Sequence, residues 1–107
     1  MASVGQQITV TTSATLIFEV IDAATYDTLS NPAANIFRAR EPSDPLPLLL
    51  TFPAGATVLL GGSGVTSGTG CPLVGPAMLP YNVTASDSLY GIVGSSTAVV
   101  GVLAQRQ

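Results

Sequence analysis

The chain is 107 residues long and 47% hydrophobic, with three Arg, six acidic residues, no Lys and no His, for a net charge of −3. That length bounds it to one domain, residues 1–107, with a single modest core. Only 8% of its residues are charged, against roughly 25% in ordinary soluble domains, so the composition excludes a conventionally charged free surface and points to a chain partly covered by neighbours in an assembly.

At the N-terminus, Met1-Ala2-Ser3-Val4-Gly5-Gln6-Gln7 has neither the charged start nor the apolar stretch of a signal peptide. Synthesis in a cytoplasm and delivery by assembly rather than secretion are therefore expected. Residues 7–12 alternate, with Ile8 and Val10 on one face and Thr9 and Thr11 on the other, which predicts a strand. Residues 1–12 as a whole read as an extended arm or an edge strand. Residues 15–21 predict a second strand, with Leu16, Phe18 and Val20 on one face and Thr15 and Glu19 on the other. Residues 22–35 fit either a short helix or an irregular loop, and residues 36–39 a short strand. Pro42, Pro45 and Pro47 mark residues 41–47 as an extended segment, because proline cannot donate into a central ladder.

Residues 48–52 and 57–60 flank Pro53-Ala54-Gly55, a pattern that predicts a tight hairpin. Residues 61–70 are glycine-rich and must be turns. Residues 78–84, 88–93 and 97–104 complete the strands, with Gly94-Ser95-Ser96 turning between the last two. The last strand is apolar on both faces, Val99 and Leu103 on one and Ala98, Val100 and Val102 on the other. Such a strand belongs in a sandwich interior or against a neighbouring subunit. Leu89 and Val99 are both expected to support the core. Strands every 8–12 residues or so, separated by turn signals, predict an all-β fold: an antiparallel β-sandwich or partly open barrel of short strands.

Candidate chemistry is sparse. Without His or Lys the usual general bases and nucleophile activators at neutral pH are missing, so no catalytic residue is expected and the chain reads as a non-enzyme. Cys71 is a lone thiol beside Pro72, read as a buried, inert apolar residue. The carboxylates Glu19, Asp22, Asp27, Glu41, Asp44 and Asp87 show no spacing for an acid–base pair or a calcium loop. With one Cys and no His, zinc is not expected, nor any other cofactor. The stretch Gly62-Ser63-Gly64-Val65-Thr66-Ser67 lacks both the Gly-Lys-Ser/Thr of a phosphate loop and the third glycine of a dinucleotide fingerprint. Asn82-Val83-Thr84 has glycosylation spacing but reads as a strand end. Arg38, Arg40 and Arg106 cannot build the basic field that nucleic acid or an anionic membrane requires. The longest apolar run, residues 46–52, is far short of the about 18 residues of a membrane span and is interrupted by Pro47 and Thr51.

Val58-Leu59-Leu60-Gly61-Gly62-Ser63-Gly64-Val65-Thr66, then Gly70-Cys71-Pro72-Leu73, then Asp87-Ser88-Leu89-Tyr90-Gly91-Ile92 and a valine-rich strand closing at Leu103 together form one extended pattern. Over about residues 48–104 it resembles a group of small tailed-bacteriophage virion proteins. Residues 61 and 62 are read as glycines taking positive φ at a strand end, Asp87 as a turn cap, and Leu89 and Tyr90 as pointing to opposite faces. Cys71-Pro72 and the proline-rich segment depart from the family pattern. The resemblance implies a β-sandwich on a phage particle, foremost a capsid decoration (cement) protein on the outer surface of the major capsid protein shell. A tail-, neck- or fibre-associated virion protein is the alternative, and a host-surface or carbohydrate-binding module a further one, disfavoured by six aromatics and no Trp. The implied partners are the major capsid protein and copies of the chain itself, a trimer suiting the local threefold points of a shell.

Overall fold

A computed structural model describes residues 2–33, 35–39, 46–83 and 87–106. Glu41, Pro42, Asp44 and Pro45 of the proline-rich segment, together with Arg40 and Thr84, lie outside the described residues. Nine strands and one short helix are described: β1 (Ala2–Val10), β2 (Thr15–Ile21), α1 (Ala23–Asp27), β3 (Ile36–Arg38), β4 (Leu46–Phe52), β5 (Thr57–Gly61), β6 (Cys71–Val74), β7 (Ala77–Val83), β8 (Ser88–Ile92) and β9 (Ala98–Arg106). They form a four-stranded sheet, β1-β9-β4-β7, packed on a five-stranded sheet, β3-β2-β8-β5-β6. The all-β sandwich read from the sequence is the fold.

The core follows from strand alternation. Val10, Leu48, Leu50, Phe52, Ala98, Val100, Val102 and Ala104 point inward from the first sheet. Ile17, Phe18, Val20, Phe37, Val58 and Leu89 meet them from the second. Among the described residues no polar or charged side chain is buried, so no desolvation cost offsets this apolar burial. Phe18 anchors the centre: it is 1% exposed, lies opposite Leu89, and meets the Tyr81 ring edge-on at 6.0 Å. The strict face assignment for residues 15–21 does not hold. A bulge between Leu16 and Phe18 turns both Ile17 and Phe18 inward and leaves Leu16 half-buried. The bulge carbonyls are not orphaned, because the Asn35 side-chain amide donates to Leu16 O at 2.9 Å and to Ile17 O at 3.4 Å.

Several expectations are corrected. The sandwich is not wholly antiparallel: β2 and β3 pair in parallel, Glu19 opposite Ile36. That pairing needs a crossover, and α1 lies on the connection between the two strands. Asp22 caps this helix, its carboxylate accepting from Thr25 N–H at 3.4 Å, and the Thr25 hydrogen bonds hold its pKa below the usual carboxylate range. Residues 53–55 do not close a hairpin, since β4 and β5 belong to different sheets. Pro53 cannot extend a ladder, Gly55 turns the chain at φ +79°, and Ala56 O accepts from Gly75 N–H at 2.9 Å, so the turn arches between the layers. Gly61 and Gly62 do not adopt positive φ. Gly61 is glycine for closeness instead: a Cβ there would lie 2.9 Å from Val65 Cγ2. Val99 is no core residue. The alternation of β9 sends it outward, where it is 45% exposed, as is Leu103.

Candidate interaction face

Four of the six carboxylates considered from the sequence lie among the described residues. Glu19 sits mid-strand opposite Ser88, Asp22 caps α1, and Asp27 pairs with Arg38 at 3.1 Å on the surface. The neighbouring carboxylate raises the Arg38 pKa through its hydrogen bond and its charge. Asp87 gives its backbone carbonyl to Val20 N–H at 2.8 Å, tying the entry of β8 to β2. Glu41 and Asp44 lie outside the described residues. Among the described residues no group of three or more potential ligands gathers where a metal ion could sit. Nor is any helix long and apolar enough to cross a membrane.

The glycine-rich stretch closes on itself. Val65 is buried over the outer side of the second sheet, against Gly61 and Gly70. A Cβ on Gly70 would lie 2.5 Å from Leu59 Cβ, so the chain must pass there without a side chain. Several of its amides are spent internally. Val65 N–H donates to Gly62 O, Thr69 and Gly70 N–H donate to Thr66 O, and Thr66 N–H donates to Thr69 Oγ1 at 2.9 Å. Cys71 corrects the sequence reading in the other direction, for its thiol is exposed rather than buried. It pairs with Leu60 on edge strand β6, where the gap between the sheets opens into an apolar cleft lined by Leu60, Leu73, Leu79 and Leu89.

What stands out is the outward face of the first sheet. Along β9 it presents Val99, Gly101 and Leu103, which lie beside Thr9, Gln7 and Gly5 of β1. On the other side Leu103 and Gly101 face Leu49 and Thr51 of β4, which in turn face Pro80 and Met78 of β7. None of these strands carries a charge among its described outward side chains. Met78 is 72% exposed, and Val99 and Leu103 are nearly half exposed. A shallow trough runs across the centre over Gly5, Gly101 and Thr51, walled by Leu49 and Leu103. Gly101 keeps it open and tight at once, since a Cβ there would collide with Thr51 Oγ1.

The chain matches no protein-family model, no curated protein and no solved structure. The face therefore has to be interpreted from its own chemistry. A charge-free, partly apolar sheet face with small residues at its centre suits close, dry contact with another protein surface. Its described side chains include no carboxylate, imidazole, amine or thiol. The sequence had flagged one strand of it, β9, through residues apolar on both sides; the contributions of Leu49, Met78 and Pro80 needed the strand order.

Proposed function

We propose that the chain is a structural subunit of a larger assembly, covered in place over the outward face of its four-stranded sheet. The observation that carries this reading is the absence of charge among the described outward side chains of that face, with Met78, Val99 and Leu103 exposed on it and Leu49 half-buried beside Leu103. Left bare on a free monomer, such a face would promote nonspecific association. Covered by a partner, it supplies the apolar centre that stable interfaces use.

The resemblance of residues 48–104 to small tailed-phage virion proteins makes a virus particle the assembly of choice. Within it, the outer surface of the major capsid shell is the favoured location, where the subunit would act as a decoration protein bridging capsid proteins. A neck, tail or fibre position is the alternative. Copy number separates the two, because symmetric shells repeat a surface site on the order of hundreds of times and tails only about a dozen. Quantitative gel staining of purified particles is the test. A band at hundreds of copies is the expected result, a dozen or fewer moves the subunit to the tail or neck, and no band at all overturns the virion reading.

A further inference from the structure

We propose that β1 pairs edge to edge with β1 of a second copy, joining the two four-stranded sheets into one continuous sheet across a twofold axis. The described sandwich has four edge strands: β1 and β7 in one sheet, β3 and β6 in the other. Three of them are blunted. β7 carries Pro80 and β6 carries Pro72, each lacking the N–H that a new ladder needs. β3 is only Ile36–Arg38 and ends in an ion-paired arginine.

β1 has none of these protections. It runs nine residues in unbroken register against β9, with no proline, no charged residue and no bulge. β9 is its one hydrogen-bonded neighbour among the described residues. The N–H and C=O groups of every second residue therefore face outward along the whole strand, a ready template for another strand.

The other edges of the sandwich identify the occupant. Pro80, Pro72 and the brevity of β3 prevent those edges from accepting a nine-residue strand. The edge of a second copy that is open along its full length is β1 itself. Antiparallel self-pairing sets no like charges opposite one another, because the strand has no charges. It also terminates: each β1 has one free edge, so two copies complete the contact and no fibre follows. Three copies cannot share such edges cyclically, so this contact makes a dimer and not the trimer implied by the family resemblance. The charge-free outward face then continues across Gly5, Gln7 and Thr9 of both copies, doubling the surface offered to an assembly. In that sense the pairing names the first partner of the assembly subunit proposed above, and rests on that reading.

The test is sedimentation equilibrium of the purified protein over a concentration series. The expected mass is twice the 10.8 kDa of the chain. A Gln7→Lys/Thr9→Lys double variant, altered at two exposed outward positions of β1, should fold with an unchanged circular dichroism spectrum and sediment as a monomer. Met78→Lys, on the far edge strand, should remain a dimer. A wild-type monomer at the highest soluble concentration would overturn the pairing, as would a dimer that survives both lysines or one broken by Met78→Lys alone. A monomer that still joins particles would sink the pairing and leave the structural reading standing; a dimer that joins none would do the reverse.

Discussion

Phe18→Ala should destabilise the sandwich by about 3–5 kcal/mol, the range for emptying a buried aromatic site. Phe18 is fully enclosed between the sheets, opposite Leu89 and edge-on to Tyr81. A domain of this size has a total stability of only about 5–15 kcal/mol, so the variant sits close to unfolding. Leu89→Ala, buried beside it, should cost about 2–4 kcal/mol. Val99→Ala should stay within about 0.5 kcal/mol of the parent, because that side chain faces outward. Urea unfolding of the three purified variants checks this ranking. Equal midpoints for all three would mean that the inward and outward faces are wrongly assigned.

The second large effect concerns association. Leu103→Lys should leave the fold intact and weaken attachment to the particle roughly a hundredfold or more, about 3 kcal/mol, the cost of burying a charge with no partner. Leu103 lies between Gly5 and Leu49 on the outward face, and the described neighbours there offer no carboxylate to receive an ammonium group. Co-sedimentation of the variant with undecorated particles measures the loss. Salt should change the wild-type binding little, since the face has no ions to screen. Full binding by the variant would place the contact on another surface.

Much of the fold was legible because the strands announce themselves by alternation. Residues 15–21, 57–60 and 88–93 are marked by apolar and β-branched residues between turn signals, and a sandwich follows from spacing and turns. Three features resisted for identifiable reasons. β6 was hidden because Pro72 argues against a strand, and only its position at a sheet edge makes proline acceptable there. The hairpin expected at residues 53–55 failed because a short turn looks the same in sequence whether it joins neighbours in one sheet or arches between two. The bulge at Leu16–Phe18 breaks the period in a stretch where every residue is apolar or β-branched, so no local signal marks it. The candidate face was half visible. Apolar residues on both sides of β9 marked it as sandwiched or subunit-facing, but the choice between those needed the sheet order, which leaves Val99 and Leu103 with nothing over them among the described residues. Cys71 was misjudged because its burial was inferred from residue type, whereas its exposure is set by the edge position of β6.

Oxidation of Met78 offers the most direct view of whether this face is covered in place. Met78 is 72% exposed at the far side of the face, and brief treatment with peroxide converts an accessible methionine to the sulfoxide. The Met78 peptide is read by mass spectrometry from the free protein and from intact purified particles treated alike. Covering of the face predicts rapid oxidation of Met78 in the free protein and strong protection in the particle, while Cys71 on the other sheet alkylates equally in both. Equal oxidation of Met78 in the two states would contradict the account.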